Sequence, residues 1–209
     1  MIPALEALAR LREGNQRYAS NVRSIDSLVS HTRRTELLAG QEPIAIILGC
    51  SDARVPAELV FDQGLGDLFI IRVAGNIVAA SQVGSIEFCA AKFGTRLVVV
   101  LGHQHCGAIT ATLDELRQPV ANQSRNLRSI VERIRPSVEP LLETDLRHDM
   151  GALVREAERA NVRASVSLLR HGSDILERLT LEEGLLIVGA DYSLETGEVD
   201  FFEGVPDGA

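Results

Sequence analysis

Four short apolar runs punctuate the chain: Ile44-Ala45-Ile46-Ile47-Leu48-Gly49, Leu68-Phe69-Ile70-Ile71-Arg72-Val73, Leu97-Val98-Val99-Val100-Leu101-Gly102 and Leu185-Leu186-Ile187-Val188-Gly189. None alternates regularly with polar residues, so each predicts a strand covered on both faces. A fifth run, Val199-Asp200-Phe201-Phe202, follows the turn signal Thr196-Gly197 and predicts an edge hairpin strand. Between the runs the period is helical. Residues 3–19 place Leu5, Leu8, Leu11 and Tyr18 on one side and Glu6, Arg10, Glu13 and Arg17 between them, with Pro3 suited to a first turn. Short helices are expected over 32–39, stopped by Gly40, and over 55–61, where Pro56 sits near the start. Val83, Ile86, Cys89, Ala90 and Phe93 mark another over 81–93, and one more runs from about Cys106 to Leu116. Two helices fall between 125 and 160 with a break near Pro136 and Pro140, and helix continues over 161–170 to His171-Gly172. Ser173 then caps a helix ending at Leu181. Residues 20–31 and 117–124 are polar and read as surface loops.

Strands separated by helical crossovers mean a parallel sheet with helices on its faces. The expected fold is therefore α/β: a central, mainly parallel sheet of four strands, an antiparallel edge strand, helices on both faces and an N-terminal helical arm. In such sheets ligands gather at the carboxyl ends of the strands. Composition sharpens this picture. The 209 residues are 45% apolar but include no Trp and only 4% aromatics, so the core must be built from Val, Ile, Leu and Ala. With 29 acidic against 21 basic residues the formal charge is −8, which argues against nucleic acid or an anionic membrane as partner. No run approaches the ~20 apolar residues that span a bilayer, and the first residues lack the apolar stretch of a secretory signal. Three cysteines do not make a disulfide framework. The expectation is a soluble cytoplasmic protein with reduced thiols.

Two of the strand runs end on glycine and then present soft ligands. The first leads into Cys50-Ser51-Asp52-Ala53-Arg54, the third into His103-Gln104-His105-Cys106-Gly107. If these ends lie side by side, Cys50, His103 and Cys106 converge, with Asp52 and Arg54 at the rim. Zinc takes Cys sulfur at about 2.3 Å and His nitrogen at about 2.0–2.1 Å; three protein ligands with one open position make a catalytic site, and four a structural one. A helix start at Cys106 also favours thiolate. Asp52 decides between open and closed. It could complete the tetrahedron itself, or, if 52–54 is extended, pair with Arg54 on the same side of the chain. Paired with Arg54 it stays ionised, accepts a hydrogen bond from a hydroxide on the metal and aims the oxygen lone pair outwards. Two thiolates neutralise the formal charge of Zn²⁺, so this metal acidifies water less than one held by three imidazoles, and turnover is expected to climb above neutral pH.

Cys-Ser-Asp-Ala-Arg followed by His-x-x-Cys-Gly resembles the β-class carbonic anhydrases, whose usual forms are CSDSR and HxxCG. The likeness extends through Gly66-Asp67-Leu68-Phe69, Arg72-Val73-Ala74-Gly75-Asn76 and Gly84-Ser85-Ile86-Glu87-Phe88. The resemblance implies a single domain over 1–209, with a helical arm (1–40) and a zinc-binding core (41–209). It implies a zinc enzyme interconverting carbon dioxide and bicarbonate, with Cys50, His103 and Cys106 as ligands and Asp52–Arg54 as the catalytic pair. Family pocket positions fall on Gln41, Phe69, Ala74 and Phe88, with Gln41 and the Gly107 amide as donors to substrate. Part of that slot comes from a neighbouring subunit, so a homodimer or a dimer of dimers is implied. A bicarbonate-regulated form uses a Trp, an Arg and a Tyr. Arg72 and Tyr192 match two of these, but Ile47 stands at the Trp position, which favours the open site.

Two other functions fit the same residues: a non-catalytic zinc-binding structural or regulatory protein, and a hydrolase of a related small molecule such as carbon disulfide or carbonyl sulfide. Cys89 reads as core. His105 reads as a solvent-side residue, with a proton shuttle as its alternative. Gly64-Leu65-Gly66 lacks dinucleotide or P-loop spacing and reads as a turn.

Overall fold

All five predicted strands form, and they join one sheet in the order β2-β1-β3-β4-β5. The computed structural model describes residues 2–22, 31–119 and 124–208, so most of the loop expected at 20–31 and half of that at 117–124 lie outside the described residues. The strands are β1 (Ala45–Gly49), β2 (Leu68–Arg72), β3 (Leu97–His103), β4 (Leu186–Tyr192) and β5 (Val199–Glu203). The first four are parallel, with Ile46 opposite both Phe69 and Val98, and Val98 opposite Ile187. β5 runs antiparallel to β4, with a register shift between Gly189 and Ala190.

Alternation along β1 and β3 divides the core. Ala45, Ile47, Leu97, Val99 and Leu101 face α1 (Ala4–Ala19) and the single turn α3 (Ala57–Val60). Ile46, Leu48, Val98 and Val100 face α4 (Ala80–Lys92), α7 (Met150–His171) and α8 (Asp174–Glu182). Each face buries aliphatic side chains against helices, which is why the strands read as unbroken apolar runs. α7 comes closest to the sheet: a Cβ on Gly102 or Gly189 would lie 2.6 or 2.7 Å from a Val162 methyl. Both glycines are there to let the helix in. α2 (His31–Glu36) continues as a 3₁₀ turn to Ala39.

A third apolar cluster caps the carboxyl ends of the strands. Ile109 and Leu113 of α5 (Gly107–Arg117), Ile134 and Val138 of α6 (Arg125–Val138), and Leu153 and Ala157 of α7 pack there with Ile77, Cys50 and Cys106. The break expected near Pro136 and Pro140 falls after Val138, with Pro136 inside the last turn of α6. Pro136 and Glu132, whose carbonyl loses its partner, are both exposed, so water can satisfy that oxygen. The chain breaks two residues later, into 3₁₀ turns over Glu139–Glu143 and Asp145–His148. Among the described residues no helix is long and apolar enough to cross a membrane.

Candidate metal centre

The chain runs outward from β1 to β2 on one side, then returns past β1 to form β3 on the other. The sheet order therefore reverses between β1 and β3, and a crevice opens at their carboxyl ends. Cys50 directly follows β1, His103 ends β3, and Cys106 is the residue before α5. Their ligand atoms all lie within 4.8 Å of one another, and all three residues are buried.

The donor set fits zinc. The two sulfurs are 4.0 Å apart. That is about twice a disulfide bond and close to the ~3.8 Å expected for two thiolates ~2.3 Å from one tetrahedral ion. His103 Nδ1 donates to the Gln104 carbonyl at 2.9 Å, which fixes the tautomer with its lone pair on Nε2. Nε2 is buried and has no hydrogen-bond partner among the described residues. Left to themselves the sulfurs share one proton. The Cys106 hydrogen bond draws the Cys50 thiol down to about 4 against the cost of burial, helped by His103 and the Gly75 and Asp52 amides. Cys106 moves up, because the Cys50 sulfur holds its proton and burial opposes a second anion. A second thiolate this close would need a cation between the sulfurs.

Asp52 stands beside this group with Oδ2 4.0 Å from His103 Nε2. Its carboxylate is held from the other side: Oδ1 accepts the Arg54 backbone N–H and Nε at 2.9 Å each, and Oδ2 accepts a terminal Arg54 nitrogen at 2.7 Å. These hydrogen bonds hold Asp52 well below the usual carboxylate range despite partial burial. The expected pair therefore forms, but on a turn and not on extended chain. Val55 N–H bonds the Asp52 carbonyl, and the Asp52 side chain closes an Asx turn onto Arg54. Arg54 also donates to the His105 carbonyl at 3.1 Å, tying the two ligand loops together. His105 itself is exposed, in a left-handed conformation with φ 58°.

Arg72 has a structural task. It donates to the carbonyls of Cys50 at 3.0 Å and Asp52 at 2.5 Å. Tyr192 lies on the α1 side of the sheet, its hydroxyl 3.0 Å from that of Tyr18. Ala74 opens a 3₁₀ turn, and Gly107 begins α5 right after Cys106 with open space above it. The remaining pocket candidates lie elsewhere in this chain. Gln41 precedes β1 and lines a cavity with Arg10, Arg33, Asp67 and Thr95 at the amino ends of the strands. Phe69 and Phe88 stack with Phe93 where β2 meets α4, their centroids 5.7–6.4 Å apart in pairs, and Phe88 is 53% exposed.

Sequence reasoning missed the supports behind the ligands. Glu158 is 3% exposed, and its carboxylate accepts the Cys106 N–H at 2.9 Å. Burial pushes this carboxyl up to about 7. Asn161 donates to the Gly75 carbonyl at 2.8 Å, and Gly75 N–H points at Cys50 Sγ, 3.4 Å away. The available signal was polar residues at helical spacing on the face that also carries Ala157, Val162 and Val166.

An α/β sheet with a Cys-His-Cys cluster at its switch point defines a metalloenzyme architecture. Residues 45–199 match the family model described as carbonic anhydrase. Carbonic anhydrase 2 of Mycobacterium tuberculosis is 39% identical over 188 residues, covering 90% of this chain and 87% of that protein. Carbonic anhydrase of Mycolicibacterium smegmatis is 36% identical over 190 residues, covering 91% and 89%. Among solved structures, a β-carbonic anhydrase of Aspergillus fumigatus superposes with TM-score 0.71 at 25% identity over 97% of this chain and 91% of its own. One of two tetrameric β-carbonic anhydrases of Sordaria macrospora superposes with TM-score 0.73 at 23% identity, over 81% and 85%. The chain belongs to the carbonic anhydrase family, in its β class. The family's cofactor is zinc, and the Cys50–His103–Cys106 group suits it.

Proposed function

We propose that this protein hydrates carbon dioxide reversibly to bicarbonate and a proton, with zinc held by Cys50, His103 and Cys106. The observation that carries this reading is the soft donor cluster at the sheet's switch point, with the Asp52 carboxylate turned onto Arg54 beside it. Zinc, when bound, would supply the Lewis acidity that lowers the pKa of water, less strongly with two thiolate ligands than with three imidazoles. The chain's own groups do the rest. Asp52, kept ionised by Arg54, accepts a hydrogen bond from the nucleophilic oxygen and turns its lone pair toward the carbon. The Gly107 amide, at the start of α5, donates to a substrate oxygen, and Ala74 forms part of the wall. Carbon dioxide is small and apolar, so a narrow slot with one or two donors is enough to orient it.

Gln41, Phe69 and Phe88 serve the site of a second copy. In one chain β1 separates Gln41 from Cys50, about 16 Å of strand. This separation supports a homodimer or a dimer of dimers as the working unit, and the matched Sordaria structures are of tetrameric enzymes. Residues 1–40 act as a helical arm on a single zinc-binding domain of 41–209. Two thiolates that must stay reduced suit a cytoplasmic location.

The test is zinc content and carbon dioxide hydration in wild type and Asp52→Asn. Both proteins should hold one zinc per chain, and the variant should lose roughly 10²-fold or more in kcat/KM. Wild type that binds zinc without turnover would mark a structural protein instead.

A further inference from the structure

We propose that one face of α7 sets the separation of the two sulfur ligands, with Glu158 and Asn161 as positioning residues for the metal. This inference rests on the reading that Cys50, His103 and Cys106 hold zinc. Neither Cys50 nor Cys106 lies within regular structure: one follows a strand and the other precedes a helix. Each needs an external reference, and α7 supplies both. Glu158 grips the Cys106 backbone directly through its N–H. Three residues on, Asn161 holds the Gly75 carbonyl, and the Gly75 N–H in turn faces Cys50 Sγ. Ser165, four residues further along the same face, donates to the Asn76 carbonyl at 3.3 Å and steadies the same turn. The spacing of three and four keeps all three side chains on one stripe of the helix.

The turn they hold cannot place itself. Gly75 has φ 70°, and a Cβ there would lie 2.8 Å from Ile134 Cδ1 and 3.1 Å from Ala108 Cβ. The backbone is thus packed from α5 and α6 on one side and hydrogen-bonded from α7 on the other. Val162, between Asn161 and Ser165, presses on Gly102 next to His103 and on Gly189 of β4. The helix is therefore registered against the strand that carries the third ligand. One rigid element reads the position of all three ligands.

The experiment uses zinc-loaded full-length protein: wild type, Glu158→Ala, Glu158→Gln and Asn161→Ala. Zinc release to a chelator and the thiolate-to-metal absorption of the cobalt-substituted forms are measured alongside thermal stability. The alanine variants should release zinc at least about tenfold faster than wild type and shift the cobalt bands. Glu158→Gln should stay within about twofold, because its amide oxygen can still accept the Cys106 N–H. If Glu158→Ala does not fold, Glu158→Asp carries its test, since it withdraws the carboxylate by one methylene; Asn161→Asp does the same for Asn161→Ala, since a carboxylate cannot donate to the Gly75 carbonyl. Folded variants that melt earlier yet release zinc at the wild-type rate with unshifted cobalt bands overturn the proposal. Wild type that binds zinc but does not hydrate carbon dioxide overturns the proposed function and leaves these metal readouts standing; wild type that takes up no zinc overturns both.

Discussion

Asp52 Oδ2 lies 2.7 Å from an Arg54 nitrogen on one side and 4.0 Å from His103 Nε2 on the other. Its depressed pKa has a direct consequence for pH. A carboxylate whose folded value lies below its unfolded one contributes stability above the unfolded value and loses it as pH falls through the folded one. Asp52 therefore keeps its charge across the working range and is not the source of a rise of activity with pH. Two anionic sulfurs reduce the charge that acidifies water, so kcat should climb between about pH 6 and about pH 9. A flat hydration profile across that range would contradict this account. Asp191 behaves in the opposite sense. Burial raises it to about 6, against the attraction of Arg159, and its Oδ1 has no hydrogen-bond partner among the described residues. The folded state thus holds a proton that the unfolded chain gives up, so stability falls as pH rises from about 4 to about 6 and stays lower above it. Asp191→Asn should accordingly gain about 1–3 kcal/mol at about pH 8 relative to its effect at about pH 4, read by urea unfolding at equal metal content.

Secondary-structure elements were readable in the sequence where one physical signal dominated. Ser173 is the clear case: a capping residue after His171-Gly172, which in the structure accepts the Leu176 N–H at 3.2 Å and donates to Glu87 at 2.6 Å. Ser173→Ala should cost about 1–2 kcal/mol in thermal or chemical unfolding while leaving hydration kinetics unchanged, since the cap joins α8 to α4 away from the metal centre. Elements were misjudged where tertiary contact overrode the local signal. The strand expected to stop at Gly189 continues through Ala190, Asp191 and Tyr192, because β3 pairs with it to His103. Gly189 is not a terminator; it is where Val162 meets the sheet. By contrast, the break expected near Pro136 and Pro140 falls between them, after Val138, and α6 passes Pro136 because the carbonyl that loses its partner faces water. The candidate ligands Cys50, His103 and Cys106 and the Asp52–Arg54 pair could be found because two strand ends announced them. Glu158 and Asn161 could not, since a polar residue on an apolar helix face shows its purpose only when its backbone partner is known.

At the scale of the molecule, the fold separates what the proposed reaction needs together. Cys50, His103, Cys106 and Asp52 occupy the carboxyl ends of the strands, while Gln41 lines a cavity at the amino ends. Side-chain motion does not bridge a strand length, so a Gln41 that serves catalysis must serve another copy's metal. A closed two-fold dimer would satisfy this in both directions at once. The arrangement makes a prediction that no single-chain site shares. Asp52→Asn and Gln41→Ala should each be nearly inactive alone, because every site in either homodimer lacks one of the two groups. When the two variants are unfolded, mixed in equal amounts and refolded, random pairing should restore roughly a quarter of the sites, since half the dimers are mixed and each of those regains one intact site of two. The other site of each mixed dimer carries both defects. Hydration activity rising on mixing, in step with the mixed species resolved by mass spectrometry, would place Gln41 across the interface. Activity that stays at the level of the two inactive parents would mean that Gln41 acts within its own chain, and a Gln41→Ala parent that is fully active by itself would mean that it takes no part.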